Sequence, residues 1–223
     1  MIHQPIGLPL LFVLLLGVFA LLIFLVELRV LSYAYRKIGV NPRWVFAVLL
    51  LTLIGSQVNI PLYAKSVARV VPPQEIERFG RVYIVPPAVD RGTTVVAINV
   101  GGALIPVLIS LYLFSRAKMP VRMLVAVAVV AVIVHQLAQV VPGIGIAVPM
   151  LVPPLAAAAV GLLFAPRRAP PVAYVAGSMG ALIGADLWNL TRIAELGAPV
   201  VSIGGAGTFD GVFLTGIIAG LIA

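Results

Sequence analysis

Apolar residues in this chain come in long blocks, not in the alternating or three-to-four spacing of a soluble domain. A block of roughly 20 mostly apolar residues is long enough to cross a bilayer as a helix. The pattern predicts seven such spans: Leu8 to Leu28, Trp44 to Ala64, Thr94 to Ser115, Met123 to Val141, Ala147 to Ala165, Val172 to Thr191 and Ala206 to Ala223. The first reads as a mature helix and not a signal peptide. No basic segment precedes it, and no convincing small-residue cleavage site follows. Lys65 to Thr93 is the one sizeable extramembrane piece. Its two stops, Val71-Pro72-Pro73 and Val85-Pro86-Pro87, flank a polar turn around Phe79-Gly80. The run Arg81 to Val85 has strand-like composition. An ordered surface loop or a small external hairpin is expected there. The stretch Pro142 to Pro154 is rich in Gly and Pro and nearly uncharged. It reads as a tight external turn leading into a kinked fifth span, with a re-entrant segment as the other option.

Composition removes the soluble alternatives. Of 223 residues, 62% are hydrophobic and 10% charged, whereas a soluble domain carries about 25% charged residues. That charge cannot cover a water-facing surface, and disorder fails for the same reason. The expected fold class is all-α: a polytopic transmembrane helix bundle forming one domain over residues 1–223, multi-pass in the cell membrane, with residues 65–93 outside the cytoplasm. Gly 21 and Pro 18 suit membrane helices. Cys 0 excludes disulfides, thiolate chemistry and cysteine metal sites. Absent cysteine and a high Val and Ala content are compatible with a thermophile.

The net charge of +8 does not imply nucleic acid, because the basic residues lie between apolar runs, where topology and lipid headgroups account for them. Arg29, Arg36, Lys37 and Arg43 follow span one, Arg116, Lys118 and Arg122 follow span three, and Arg167 and Arg168 follow span five. On the other side Arg192 stands alone after span six, and Lys65 to Thr93 mixes its basic residues with Glu75, Glu77 and Asp90. The short, purely basic connections belong inside, which places the N-terminus outside and the C-terminus inside.

An ionisable group in hydrocarbon costs about 2.5–3.5 kcal/mol on insertion scales and is by default a functional candidate. Asp186, late in span six, and Asp210, early in span seven, are the strongest pair. They lie about 21 Å and 6 Å along antiparallel consecutive helices, hence at a similar depth toward the outer side. Two carboxylates in a low-dielectric site hold one proton between them, and one can then activate water while the other donates to a carbonyl. Asn189, Gly204, Gly205, Gly207 and Thr208 are expected to shape this site, the glycines by close backbone approach and open N–H groups. The structural alternatives are a helix cap for Asp210, a bond from Asp186 to Asn189, and glycines that permit tight packing.

A second polar group, His135, Gln136 and Gln139, sits on span four, with His135 and Gln139 on one helical face. It suits ligand binding, proton relay or interhelical bonding. One histidine with glutamines is a poor metal set, so no metal or other cofactor is expected. Gln57 and Asn59 before Pro61, and Asn99 beside Gly101-Gly102 before Pro106, read as kinked or broken helices, where transporters place substrates.

The run Gly184-Ala185-Asp186-Leu187-Trp188-Asn189-Leu190 and the stretch Ala198 to Ala223, with Ser202-Ile203-Gly204-Gly205-Ala206-Gly207-Thr208-Phe209-Asp210-Gly211 inside it, resemble an uncharacterised family of prokaryotic integral membrane proteins. The resemblance covers most of the chain and implies a family but no activity. A looser resemblance is to presenilin-type intramembrane aspartyl proteases, which use one aspartate on each of two successive helices. It would make Asp186 and Asp210 the catalytic pair. Asp210 follows Gly-Thr-Phe, not Gly-x-Gly, and no later helix carries a Pro-Ala-Leu motif. The leading expectation is a diaspartyl hydrolase acting on a membrane peptide in or beside the bilayer. The alternatives are a proton- or cation-coupled transporter or channel, with the amides of spans two to four lining its path, and a non-catalytic scaffold. The sequence does not fix the oligomeric state.

Overall fold

The structure, a computed structural model, describes residues 8–71, 74–78, 81–85, 88–141, 145–192, 198–205 and 211–223, with side chains described for 12–66 and from 92 onward. The chain is mostly helical. Among the described residues it has seven α-helices: α1 (Leu8–Ile38), α2 (Pro42–Gly55), α3 (Ile105–Arg116), α4 (Pro120–Leu137), α5 (Val152–Phe164), α6 (Ala169–Ala181) and α7 (Gly211–Ile222). Two segments are long and apolar enough to cross a membrane, Phe12–Ile38 and Pro120–Leu137. Proline stands in the first turn of α2 to α6, where its missing N–H has no intrahelical partner to lose.

Between the helices lie strands: β1 (Asn59–Val71), β2 (Gln74–Arg78), β3 (Arg81–Val85), β4 (Ala88–Asn99), β5 (Gln139–Val141), β6 (Gly145–Ala147) and β7 (Val200–Ile203). β1 and β4 form a long antiparallel hairpin with β2 and β3 paired beyond it, and β7 joins β4 in parallel.

The hairpin alters the expected spans. Span two stops as a helix at Gly55, and its second half is β1. Span three begins as β4 and turns helical only at Val100, where a π-turn (Val100–Leu104) leads into α3. Asn59 and Asn99 therefore stand at helix–strand boundaries and face each other in register, not at kinks inside continuous helices. The local reason is a run of Ile60, Pro61, Leu62 and Tyr63 that finds a complementary partner in Val96 to Ile98. Cross-strand pairing then outweighs an apolar average that a helix would satisfy equally well. At Pro61 the register shifts, as a residue without an N–H requires. The strand-like run Arg81 to Val85 is β3; the turn at Phe79-Gly80 lies outside the described residues. Helix α4 ends at Leu137, so Gln139 is on β5 and does not share a helical face with His135. β5 and β6 pair as a short hairpin ahead of α5.

Helix α6 is the axle of the bundle. Ten of its thirteen residues are buried, and it packs on α1, α3, α4, α5 and α7. Small residues make this possible, since backbones approach closely only where side chains are short. A Cβ on Gly180 would lie 2.7 Å from Val130 Cγ1 of α4, and one on Gly161 of α5 would lie 2.7 Å from Ala173 Cβ of α6.

The helix ends gather at two poles. At one pole Lys37 Nζ donates to the Leu221 carbonyl at 2.7 Å and Arg122 Nη1 to the Phe164 carbonyl at 3.3 Å. Each brings a cation to the negative end of a helix. Ile38, Leu113, Met123 and Val172 surround one opening there. The connections after α1, α3 and α5, with the basic residues in and beside them, thus share this basic pole. The strands, Asp186 and the start of α7 lie at the other.

Overpacking a close helix contact costs about 1–3 kcal/mol. Gly180→Leu is expected to lower the thermal unfolding temperature in detergent by several degrees. Gly17→Ala on α1, where a Cβ meets nothing within 4 Å, should be neutral or slightly stabilising. Equal unfolding temperatures for the two variants would contradict the α4–α6 packing.

Candidate functional site

Asp186 stands on a second π-turn (Leu182–Leu187) that continues α6. The widened turn has visible local causes. Gly184 lies so close to α4 that a Cβ there would run into the Ala131 carbonyl. The Trp188 N–H bonds back five residues to Ile183 at 3.0 Å. Carbonyls released at this end are taken by Asn189, buried, whose Nδ2 donates to Ala185 O at 2.8 Å and Gly184 O at 3.3 Å. Asn189 thus positions the turn by bonding its backbone, not the Asp186 carboxylate as one sequence alternative had it. His135 Nδ1 is 3.2 Å from the same Gly184 oxygen, so a proton on Nδ1 donates there. Its ring meets Trp188 edge-on at 5.1 Å. These contacts make His135 an interhelical clamp. Gln136 and Gln139 are exposed.

The Asp186 carboxylate reaches the turn after β7, where Gly204 N–H donates to Oδ2 at 2.7 Å. Gly204 and Gly205 both hold positive φ, +82° and +77°, a conformation that favours glycine. The Gly205 N–H bonds to Ser202 O at 3.2 Å. The N–H expected to meet an oxyanion at Gly204 therefore meets Asp186. Gly207, Thr208 and Asp210 lie outside the described residues.

The same turn presses on the first π-turn. A Cβ on Gly102 would run into the Gly204 carbonyl oxygen, and one on Gly204 would lie 2.5 Å from Ala103 Cβ. A Cβ on Gly101 would strike the Thr52 carbonyl at the end of α2. Beside this contact, fully buried Asn99 donates from Nδ2 to Ser56 O at 2.8 Å and to Asn59 Oδ1 at 3.1 Å, and its Oδ1 accepts the Gly102 N–H at 2.7 Å. Ser202 Oγ donates to Asn59 Oδ1 at 2.6 Å. Asn59 and Asn99 are bonded into a latch joining α2, the hairpin and β7, and Gln57 is exposed. Of the amides expected to line a substrate path, Asn99 is bonded to backbone and to Asn59, while Asn59 Oδ1 accepts from the Asn99 and Ser202 side chains. Ser56 and Ser202 gave no sequence signal; the Gly101-Gly102 pair after Asn99 did.

One side of Asp186 opens on a cavity of about 430 Å³ between Val134 of α4, Ile146 of β6, Pro149, and Val212 and Thr215 of α7. Asp186 and Thr215 supply the polar side chains of its described lining, and Gly211, the residue after Asp210, borders it. A carboxylate that accepts a backbone N–H and borders a mostly apolar cavity has the chemistry to take up a proton, hold a cation or polarise water. Among the described residues, no cluster of three or more His, Cys, Asp or Glu is close enough to hold a metal.

Fold and site together define a largely helical, strongly apolar protein with a carboxylate-bearing cavity at one pole. The family model described as "Protein of unknown function (DUF1614)" matches residues 53–222, and the chain belongs to that family. Comparison with curated proteins and with solved structures gave no match.

Removing the Asn99 amide leaves the Ser56 carbonyl and the Gly102 N–H without partners in a buried place, at about 1–3 kcal/mol. Asn99→Ala should unfold earlier than the parent in a thermal melt. Asn99→Asp should not rescue it, because a carboxylate keeps the Gly102 bond but cannot donate to Ser56 or Asn59. Full stability of the Asp variant would count against the latch.

Proposed function

We propose that this protein is a multi-pass membrane protein and a diaspartyl hydrolase, cleaving peptide bonds in or beside the bilayer with Asp186 and Asp210. The observation that carries the reading is that Asp186 and Gly211, the direct neighbour of Asp210, border one 430 Å³ cavity. The membrane setting draws on the two long apolar helices and on side chains such as Leu108, Leu111, Leu124 and Leu155, all more than half exposed, which suit lipid. Open sheet edges do not sit in hydrocarbon, so the hairpin and β7 belong to the outer interface. The 14-residue α2, about 21 Å long, then spans with local thinning of the lipid. In the hydrolytic cycle one carboxylate takes a proton from water as it attacks the peptide carbonyl, and the other, protonated, donates to the carbonyl oxygen. Asp186 and Asp210 share the base and acid roles between them.

Asp186→Asn and Asp210→Asn are each expected to lower cleavage of a membrane-peptide reporter about a hundredfold or more, with folding intact. Because the chain has no cysteine, Asp186→Cys/Asp210→Cys tests proximity cleanly: a disulfide requires Cα atoms within about 7 Å. A pair that fails to cross-link in the folded protein, or an Asn variant as active as the parent, removes the hydrolase.

Proton- or cation-coupled transport through the same carboxylates has one observation of its own. Buried hydroxyls run through the bundle from the Asp186 cavity. Thr215 lines that cavity, and a Cβ on its neighbour Gly216 would strike Ser178 Oγ. Tyr174 lies beside Ser178 and Tyr35, and Tyr35 beside Thr52. Thr52 and Glu27 share a cleft of about 230 Å³ between α1 and α2. Among the described residues the buried hydroxyl oxygens of Tyr35 and Ser178 complete no hydrogen bond, with the hydroxyls of Thr52 and Tyr174 beside them. On the transport reading, Tyr35→Phe and Ser178→Ala abolish proton flux into proteoliposomes. If they only raise the unfolding temperature, or if the parent carries no flux, transport is excluded.

A further inference from the structure

At the basic pole, α3 ends at Arg116 and α4 begins at Pro120, while α5 ends at Phe164 and α6 begins at Ala169. Between these two connections lies a cavity of about 490 Å³ lined by Arg122, Arg167, Arg168 and Met119 with Ala165 and Pro166. A second opening of about 240 Å³ shares Met119 and Arg168 and adds Arg116 and Lys118. Five cationic side chains thus border two adjoining openings. Among the described residues no carboxylate pairs with any of them. The acidic residues lie elsewhere in the chain, at Glu27, Glu75, Glu77, Asp90, Asp186, Glu195 and Asp210.

Two of the cations are fixed from behind. Arg122 Nη1 donates to the Phe164 carbonyl and lies 3.5 Å from Met119 Sδ. Arg116 Nη1 donates to the Tyr112 hydroxyl at 2.6 Å and stands over that ring. Arg167, Arg168 and Lys118 are exposed. Helices α4 and α6 both start here, without a side-chain cap and without an acidic residue in the first turn, so their positive ends add to the field. Like charges held this close repel one another, and an anion seated between them relieves the repulsion.

We propose that this pole binds the phosphate of an anionic phospholipid, between the α3–α4 and α5–α6 connections. The ligand chemistry is a phosphate ester held by Arg122, Arg167 and Arg168, which present several donors to its oxygens. The apolar surroundings choose the lipid over free phosphate. Val121, next to Arg122, is 69% exposed, and Leu163, at the end of α5, is 77% exposed. Both lie within two residues of the cavity lining in sequence and offer exposed apolar surface to acyl chains. The site is remote from Asp186 and does not depend on the hydrolytic reading.

The test uses the full-length protein in neutral detergent, with bound lipid counted by native mass spectrometry. Phosphatidylglycerol is expected to bind more tightly than phosphatidylcholine. The double variant Arg167→Gln/Arg168→Gln should weaken phosphatidylglycerol binding by about fivefold per charge removed, with an unchanged melting temperature. Retention of phosphatidylglycerol by the double variant at parental affinity would overturn the site. So would equal affinity for the two lipids. Displacement of the lipid by millimolar inorganic phosphate would overturn the assignment to a lipid headgroup.

Discussion

The turn at Gly204 is the constraint on which the pole holding the strands and Asp186 depends. Its N–H holds Asp186, its carbonyl side leaves no room for a Cβ on Gly102, and its own α-carbon faces Ala103. Three segments far apart in sequence meet there: the π-turn that ends α6, the π-turn that begins α3, and the strand β7. Positive φ at Gly204 is what turns the chain back after β7 so that the N–H points at the carboxylate. With any side chain at Gly102 or Gly204 the backbones would have to separate, and Asp186 would lose the donor that fixes it. The site is in that sense a consequence of backbone packing, with one carboxylate inserted into it.

The two π-turns are the means by which a helix bundle carries a sheet at one end. A π-turn widens the helix and releases carbonyls that side chains must then satisfy. Asn189 does this at the end of α6, and Asn99 bonds the N–H of Gly102 at the start of α3. Both are buried, and both spend their amides on backbone. Polar residues inside an apolar chain are here mostly structural, each matched to a backbone group that would otherwise be unpaired. That pattern sets Asp186 apart, since it also faces a cavity, and it sets apart the buried hydroxyls of Tyr35, Ser110 and Ser178, which complete no hydrogen bond among the described residues.

The opposite pole is built by charge. Cations cap the carbonyl ends of α5 and α7 through Arg122 and Lys37, and the remaining basic side chains border openings between the helix ends. Two poles of different chemistry are joined by a closely packed interior centred on α6.

The sequence by itself determined the apolar character of the chain, the basic connections that come together at one end and the strand at Arg81 to Val85, and it singled out Asp186 and the glycines near it. These are local properties: hydrophobicity, charge and β-branching are read from a few neighbouring residues. The tertiary structure decided that Asn59 to Tyr63 and Thr94 to Asn99 are strands, because an apolar run of that length satisfies a helix or a strand equally until a partner strand is present. It also decided that Asn59 and Asn99 latch the backbone, that Gln139 leaves the face of His135, and that the Gly204 amide bonds Asp186. These depend on contacts across the chain, on a short hairpin in the case of Gln139, or on a chain direction reversed by a single glycine, and no local pattern records which group will arrive there.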